Sequence, residues 1–333
     1  MTSATGRKVA VVTGGTAGVG RATVQAFAAA GYDVAVLARG QAGLDGATKD
    51  VEAAGGRSMG IPTDVADPDA VEAAAARVED ELGPIGIWVN VAMATVFSPV
   101  SRLTAAEVQR GTAVTYFGQV YGMMAALRRM TPRDRGAIVN VGSALAYRSV
   151  PLQSVYCGAK FAIRGFTDSL RSEILHDRLA ITLTMVDLPA VNTPQFDWAL
   201  NKTGWKAKPV PPIFQPEVAA RAILFAAFHP RRQTWIGFPT VKAILANRIA
   251  PGLLDRYLAR TGYSGQLSNE PVAPDAPNNL FHPVAGQFGA HGRFDGTARE
   301  HSWEVITSRH RDAMWATLAL VACVGLRRLW RRR

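Results

Sequence analysis

Cysteine is scarce in this sequence, and its scarcity excludes two kinds of small stabilised protein. The 333 residues include only Cys157 and Cys323. Neither a disulfide framework nor a four-cysteine zinc site can therefore form within one chain, and we expect no bound metal. So few cysteines are usual in a reducing compartment, and the short polar N-terminus has no apolar stretch typical of a secretory signal. We therefore expect a cytoplasmic protein.

Acidic residues are also few, and the resulting positive charge is unevenly distributed. The chain has 26 acidic residues against 37 lysines and arginines, a net charge of +11. Residues 327–333 alone hold five arginines and no acid. Neither a recognition motif nor a row of stacking aromatic residues accompanies this charge, so we expect no nucleic-acid partner. A terminal basic cluster favours contact with an anionic surface instead.

Long hydrophobic runs are missing as well. The apolar stretch from Ala313 to Leu326 has 14 residues, whereas a helix that spans a bilayer needs about 20. Together with Trp315, Trp330 and the arginines, residues 313–333 are typical of an interfacial anchor on the cytoplasmic face of a membrane. Two alternatives stay open, namely a buried terminal helix and a true spanning tail.

What the sequence does contain is a regular alternation of short apolar runs with longer alanine-rich stretches. The runs are rich in β-branched residues and lie at Val9–Val12, Val34–Leu37, Ile87–Val91, Ala137–Val141, Ile181–Val186 and Thr234–Gly237. Helical spacing of apolar residues is clearest over 67–82, 105–130, 155–176 and 216–228. Continuous apolar strands between helices predict an α/β fold, a doubly wound parallel sheet of Rossmann type with about seven strands.

The same pass along the chain predicts three regions. Residues 1–240 form the Rossmann-like domain, residues 241–312 a helical and then loop-rich extension, and residues 313–333 the apolar and basic tail. Within the first region, the long connection between Leu188 and Gln215 is rich in proline and aromatic residues, a pattern typical of a functional lid. The aromatic residues that suggest a lid over an apolar substrate are Phe196, Trp198, Trp205 and Phe214.

A glycine-rich segment follows the first strand and opens the first helix. It reads Thr13-Gly14-Gly15-Thr16-Ala17-Gly18-Val19-Gly20. Glycines at such a turn let backbone N–H groups approach a pyrophosphate, and the helix N-terminus adds partial positive charge. The strand–loop–helix context indicates a dinucleotide site, although the spacing Gly-x-x-x-Gly-x-Gly differs from the Gly-x-Gly-x-x-Gly form.

The end of the second strand indicates which dinucleotide is bound. NAD-binding proteins place an acid there to hold the ribose 2′-hydroxyl, but this chain has Arg39. A guanidinium suits the 2′-phosphate of NADP through charge-assisted hydrogen bonds. Arg21, just past the glycine loop, could add charge. We therefore expect NADP(H), with NAD as the less favoured alternative.

A candidate catalytic group follows the fifth strand. Ser143 ends that strand, and Tyr156 and Lys160 stand four residues apart in the next helix, so the two side chains share a face. A nearby ammonium favours the tyrosinate and should lower the pKa of the phenol. A serine hydroxyl can hydrogen-bond the reacting oxygen. Together these groups could move a proton while a hydride moves to or from a nicotinamide.

In these motifs the sequence resembles the classical short-chain dehydrogenases/reductases. The resemblance covers about residues 7–240 and rests on the glycine loop, Asn90 with Ala92, Ser143, and the pair Tyr156 and Lys160. It implies that Tyr156 is the general acid/base, that Lys160 also holds the nicotinamide ribose, and that Ser143 orients the substrate oxygen. The implied dinucleotide contacts are Gly14, Thr16, Gly18, Val19, Gly20, Arg39, Asp64, Val65, Asn90, Ala92, Tyr156, Lys160, Pro189 and Thr193.

Three departures from the family pattern accompany this resemblance. Asn90-Val91-Ala92-Met93 replaces the usual Asn-Asn-Ala-Gly, and Pro189-Ala190 replaces Pro-Gly. Thr115 stands where the family usually has an asparagine that holds a water linking the lysine to solvent. We include Thr115 in the catalytic group, with a proton relay that differs from the usual one.

Two functions of different class are compatible with these features. The leading one is an NADP(H)-dependent oxidoreductase that interconverts an alcohol and a carbonyl on a small lipophilic substrate, and we expect it to form a homo-oligomer. The alternative is a catalytically idle dinucleotide-binding protein that recruits partners to a membrane through its tail. The intact Ser143, Tyr156 and Lys160 argue against the alternative, whereas Thr115 keeps it open.

Overall fold

A computed structural model of the chain describes residues 8–273 and 275–303. Its centre is a seven-stranded sheet in which every neighbouring pair of strands is parallel. The strands are β1 (Val9–Thr13), β2 (Asp33–Ala38), β3 (Ser58–Pro62), β4 (Ile85–Asn90), β5 (Gly136–Ser143), β6 (Ile181–Leu188) and β7 (Gln233–Trp235). Their spatial order is β3-β2-β1-β4-β5-β6-β7. The predicted doubly wound, Rossmann-like fold is confirmed.

Helices cover both faces of the sheet. They are α1 (Gly18–Ala29), α2 (Gln41–Ala53), α3 (Pro68–Glu81), α4 (Ala105–Thr112), α5 (Gly118–Met130), α6 (Ser154–His176), the short α7 (Gln195–Trp198), α8 (Pro216–Phe228), α9 (Phe238–Ile249) and α10 (Pro251–Gln266). One apolar core lies between the sheet and α1, α2 and α8. A second core lies between the opposite face and α3, α5 and α6. Burial on both faces explains why the inner strands are mainly apolar along their length rather than alternating.

The helix predicted over 105–130 is interrupted near its middle. The Thr104 hydroxyl accepts a hydrogen bond from the backbone of Glu107, whose carboxylate accepts one from the backbone of Thr104, so α4 begins with a capping box. A π-helical turn at Ala113–Phe117 then separates α4 from α5. The segments on both sides have helical spacing, so the sequence pattern predicts one continuous helix and does not reveal the wider turn. Turns of this kind are frequent at functional sites, and this one contains Thr115.

The topology brings the candidate motifs to one edge of the sheet. Strands β1, β4, β5 and β6 are parallel neighbours, so their carboxyl ends lie side by side. The strand order reverses between β1 and β4, and ligands of such sheets bind in the crevice outside the carboxyl ends at that point. The glycine loop, Ser143 and Pro189 all follow strands that end there.

The C-terminal extension packs back onto the sheet domain. After α10, residues Leu267–Pro271 pair antiparallel with Trp205–Ala207, and residues 275–303 then run as an irregular segment with a single helical turn at Asp295–Thr297. Ile244 of α9 and Leu280 are fully buried in the apolar cores. The division of the chain at residue 240 stays a prediction, and α9 runs across that point.

The predicted anchor at 313–333 lies outside the described residues. Among the helices of residues 8–273 and 275–303, none is long and apolar enough to cross a membrane.

Candidate active site

The glycine loop after β1 is a cradle that side chains would fill. Gly14 has φ +69°, and a Cβ there would lie 2.7 Å from the Cα of Ala92. A Cβ at Gly20 would lie 2.1 Å from the carbonyl oxygen of Gly14. The N–H of Gly14 donates to the carbonyl of Leu37 at the end of β2, which fixes the loop to the sheet. The glycines therefore allow a tight turn that leads directly into the N-terminus of α1, and such a turn before a helix fits a dinucleotide.

One cavity connects this loop to the candidate catalytic group. Its volume is about 610 Å³. It extends from the loop and the end of β2 to the residues that follow β5 and β6. The sequence-predicted residues that line it are Gly14, Thr16, Gly18, Val19, Gly20, Arg39, Asp64, Val65, Ala92, Ser143, Tyr156, Lys160, Pro189 and Thr193. Fourteen of the sixteen predicted site residues thus face the same space.

Ser143, Tyr156 and Lys160 lie together at the floor of the cavity. Ser143 ends β5, and its hydroxyl accepts a hydrogen bond from the N–H of Leu145 and makes another with the Tyr156 phenol. Lys160 is buried, and its Nζ lies 5.5 Å from the centre of the Tyr156 ring. The same Nζ donates a 2.7 Å hydrogen bond to the carbonyl of Val141 on β5. This bond fixes the ammonium beside the phenol.

Burial is the largest influence on the pKa values of both Tyr156 and Lys160. It raises the pKa of the Tyr156 phenol above its ordinary value, and the hydrogen bond with Ser143 opposes that shift. Burial also lowers the pKa of Lys160 to about 7, against the attraction of the Asp187 carboxylate. The expected lowering of the tyrosine pKa by the lysine is not seen in this arrangement, because burial of the phenol dominates its pKa. At neutral pH the phenol keeps its proton.

A buried carboxylate beside the catalytic group is a feature that sequence reasoning missed. Asp187 on β6 is fully buried, and the Tyr147 hydroxyl donates a 2.9 Å hydrogen bond to its Oδ2. Burial raises the pKa of Asp187 to about 7, although Tyr147 and the charge of Lys160 act to lower it. The Asp187 backbone pairs with Gly142, where a Cβ would lie only 2.1 Å from Oδ1. In the sequence, Gly142 before Ser143 was the one sign that another residue approaches this position closely.

Removing the Tyr147 hydroxyl is expected to make the stability more dependent on pH. A hydrogen bond to a charged group contributes about 1.5–3 kcal/mol, and a neutral one about 1 kcal/mol. Because Asp187 has a pKa of about 7 in the folded protein, its carboxylate is ionised above that pH and protonated below it. Tyr147→Phe should therefore lower the free energy of unfolding more at about pH 8 than at about pH 5. Denaturant titrations at both pH values measure this difference.

The matched control for that measurement is Tyr121→Phe in α5, which lies outside the cavity and keeps Asp187 and Tyr147 untouched. It should change the stability little at either pH. An equal loss at both pH values for Tyr147→Phe would contradict an ionised Asp187 as the acceptor.

Two predicted residues point away from the cavity. The Asn90 amide is fully buried between Trp88, whose indole N–H donates to it at 2.8 Å, and Asn140, which accepts from it at 2.9 Å. The Thr115 hydroxyl donates to the carbonyl of Ala94 and accepts from the N–H of the same residue, both at 2.9 Å. The Asn90 side chain therefore links two strands in the interior, whereas Thr115 braces the segment after β4. Thr115 has no hydrogen bond to Lys160 among the described contacts.

The cations near the adenosine end are already engaged within the protein. The Arg39 guanidinium donates to the backbone carbonyls of Asn279, Leu280 and Phe281. Arg110 donates to Asp64 at 2.6 Å. Burial, the largest single effect, raises the pKa of Asp64, but this bond, the N–H of Ala66 and the charges of Arg110 and Arg39 together hold it below its usual value.

Arg21 does not face the cavity. Its guanidinium forms a 2.6 Å ion pair with Asp50 on α2. The expectation that Arg21 adds charge to the phosphate site is therefore wrong.

The far end of the cavity is mostly apolar, with Gln153, Lys208, Thr240, Thr261 and Gln266 as its polar lining. Around the catalytic group the cavity is lined by Leu145, Val150, Phe196, Trp198, Pro209, Val210, Pro211, Pro239, Ala243, Tyr257 and Leu258. Phe196 and Trp198 thus occupy the position expected of a lid. The other two aromatic residues of the predicted lid do not, because Phe214 is a buried core residue and Trp205 is half exposed on the surface.

The chain belongs to the short-chain dehydrogenase family. The family model for short-chain dehydrogenases matches residues 8–203, which contain the glycine loop and the Ser143, Tyr156 and Lys160 group. Membership implies a nicotinamide dinucleotide cofactor and dehydrogenase or reductase activity. The alternative of a catalytically idle membrane module has no support in this match.

Curated relatives agree with this assignment. The uncharacterized oxidoreductase YxnA of Bacillus subtilis is 29% identical over 326 residues, covering 96% of this chain and 91% of its own. The oxidoreductase SadH of Mycobacterium tuberculosis is 30% identical over 203 residues, covering 59% and 74% of the two chains. D-threitol dehydrogenase of Mycolicibacterium smegmatis is 30% identical over 230 residues, covering 66% and 86%. The similarity to YxnA extends through the C-terminal extension, beyond the family model.

Proposed function

We propose that the protein is an NADP(H)-dependent oxidoreductase that interconverts an alcohol and a carbonyl on a small lipophilic substrate. The observation that carries the proposal is the single cavity of about 610 Å³ that joins the glycine loop to Ser143, Tyr156 and Lys160. A dinucleotide held at the loop would lie with its nicotinamide end beside these three side chains. When bound, the nicotinamide supplies or accepts the hydride.

The protein's own side chains handle the proton and the substrate oxygen. Ser143 orients that oxygen, and Tyr156 donates a proton to it in reduction or accepts one in oxidation. Because burial raises the pKa of Tyr156, a protonated phenol is the resting form, which suits carbonyl reduction. Lys160 holds the ribose. Its hydrogen bond to the Val141 carbonyl fixes the position of the Lys160 amino group relative to β5.

The substrate class follows from the cavity wall. Leu145, Phe196 and Trp198 line the end of the cavity beyond Ser143, together with prolines and aliphatic residues. An apolar wall excludes water from the space around the reacting carbonyl. Such a wall offers few hydrogen-bonding partners to a polar substrate, which would therefore gain little binding energy. Lipophilic aldehydes and ketones are therefore the favoured substrates.

The most direct experiment follows NADPH consumption by the purified full chain against a panel of lipophilic aldehydes and ketones. Consumption that depends on both the protein and a carbonyl compound supports the proposal. A protein that neither binds nor oxidises NADPH would overturn it. Substituting NADH for NADPH in the same panel tests the cofactor preference.

Arg39 supports NADP(H), because it stands where an NAD-specific site would carry an acid. A charge-assisted contact with the 2′-phosphate contributes about 1.5–3 kcal/mol. Arg39→Ala should therefore lower the affinity for NADPH relative to NADH by about 10- to 150-fold. Fluorescence titrations with both dinucleotides measure this ratio. An unchanged ratio would refute the proposed contact with the 2′-phosphate.

A further inference from the structure

The C-terminal strap, defined as residues 279–295, crosses the cofactor cleft. It contributes Asn279, Pro283, Val284, Gly286 and Phe288 to the cavity wall. The strap belongs to the irregular part of the extension, more than 70 residues beyond the end of the family-model match at residue 203. The family model therefore does not cover its contacts.

At the adenosine end, the strap is held by two arginines. Arg39 donates to the carbonyls of Asn279, Leu280 and Phe281, the last at 3.1 Å. Arg110 donates to the Leu280 carbonyl at 3.0 Å while its other nitrogen binds Asp64. The Leu280 side chain is 0% exposed and belongs to one of the two main apolar cores. Two cations and a buried leucine thus fasten this end of the strap.

In its middle, the strap contacts the glycine loop itself. The N–H of Gly18, at the start of α1, donates a 3.1 Å hydrogen bond to the carbonyl of Gly289. Pro283 lies against Gly40, where a Cβ would be 3.4 Å from the proline Cβ. The strap therefore passes over the segment that would hold the pyrophosphate.

At the nicotinamide end, the strap is bonded to the loop after β6. The buried Asn192 amide donates to Asp295 at 2.8 Å and accepts from the N–H of Phe294 at 3.0 Å. Phe288 packs edge-on against Trp198, with ring centres 4.5 Å apart. These contacts tie the strap to the loop that contains Thr193 and to the aromatic side of the substrate space.

We infer that the C-terminal strap is the outer wall of the dinucleotide site, fastened by Arg39, Arg110 and Leu280, and that it must open for either nicotinamide dinucleotide to enter or leave. This inference rests on the proposed function, because it requires a dinucleotide in the cavity. It differs from the 2′-phosphate contact of Arg39 in one measurable respect. Loosening the strap affects NADPH and NADH by the same factor, whereas loss of the phosphate contact changes their ratio.

The first experiment locks the strap with an engineered disulfide. Gly40→Cys with Pro283→Cys, in a Cys323→Ser background, joins two Cβ positions that are 3.4 Å apart, close to the range of about 3.5–4.5 Å found in disulfides. In the oxidised protein, dissociation of prebound NADPH and NADH should slow by about tenfold or more relative to the reduced protein. Reduction should restore the rates. Equal exchange rates in the oxidised and reduced forms would overturn the inference.

The second experiment loosens the strap. Leu280→Ala removes the buried anchor, and the matched control Phe281→Ala removes the neighbouring side chain, which is 45% exposed. Stopped-flow displacement should give dissociation rate constants for NADPH and NADH that rise together by about tenfold or more in Leu280→Ala. They should stay near the wild-type values in Phe281→Ala. Unchanged rates in a folded Leu280→Ala protein would contradict the inference.

The two proposals fail in different ways. A wild-type chain that binds neither dinucleotide overturns the proposed function, and the inference with it. If the chain binds and oxidises NADPH, but neither the disulfide nor Leu280→Ala changes the exchange rate, the proposed function stands. Only the inference about the strap is then overturned.

Discussion

Tyr156→Phe is expected to reduce turnover by about 10²–10⁴-fold, the usual contribution of a positioned general acid or base. The substitution removes the phenolic hydroxyl that is hydrogen-bonded to Ser143, while the ring keeps its place in α6. Lys160 keeps its hydrogen bond to the Val141 carbonyl, so the floor of the cavity stays intact. Turnover of a carbonyl substrate and the Kd for NADPH, measured on the same preparation, separate catalysis from binding.

Tyr121→Phe is the matched control for this substitution as well. It removes the same atom from a helix that packs beside the sheet, at a position outside the cavity. Its turnover should stay close to that of the wild type. Near wild-type turnover in Tyr156→Phe, with an unchanged Kd, would refute the role of Tyr156.

Gly20→Ala is expected to abolish most dinucleotide binding and to destabilise the fold. The added methyl group would lie 2.1 Å from the Gly14 carbonyl oxygen and 2.8 Å from its carbonyl carbon. Since neither backbone atom can move without shifting β1 or α1, the loop must open. Overpacking of this kind costs about 1–3 kcal/mol of stability. Losing one charge-assisted bond to a phosphate would weaken NADPH binding by about 10- to 150-fold.

Gly165→Ala provides the comparison, because it makes the same change in the middle of α6. A Cβ at Gly165 meets nothing within 4 Å. Replacing an exposed helical glycine by alanine stabilises a helix by about 0.5–1 kcal/mol. Thermal melts of the two variants should therefore shift in opposite directions. A Gly20→Ala protein that melts and binds NADPH like the wild type would show that the loop does not need this glycine.

The predicted lid and the strap meet on the same side of the cavity. Phe196 packs against Phe294 at 5.8 Å between ring centres, and Trp198 packs against Phe288. The aromatic part of the long connection after β6 is thus covered by the C-terminal extension. We expect strap opening and access of a lipophilic substrate to be linked, because both depend on these contacts.

The sequence by itself determined most of the sheet, the main helices and fourteen of the residues that line the cavity. The inner strands could be predicted because a strand buried on both faces must be apolar along its whole length, a local property that composition displays. The edge strand β3, whose residues are only alternately buried, gave no such run. The glycine loop and the i, i+4 spacing of Tyr156 and Lys160 are also local. Parallel topology then requires such residues to meet at the carboxyl edge of the sheet.

Other features of the site depended on which way a side chain turns and what surrounds it. Asn90 and Thr115 lie in the expected segments, but their polar groups are used by Trp88, Asn140 and Ala94 in the interior. The raised pKa of Tyr156 results from burial, which the spacing of residues cannot reveal. The sequence pattern did not indicate a role for Asp187. It is a single carboxylate within an apolar strand, and which charged groups lie near it is known only from the folded structure.

The strap was decided by tertiary structure alone. Residues 279–295 have no helical or strand periodicity, and the acceptors that bind Arg39, Arg110 and Gly18 are backbone carbonyls. A carbonyl belongs to every residue and carries no sequence signature. Only the fold, which returns residue 280 to the end of β2 some 240 positions earlier, brings these carbonyls to the cations. Local pattern therefore specified the cofactor cleft, whereas long-range packing supplied its outer wall.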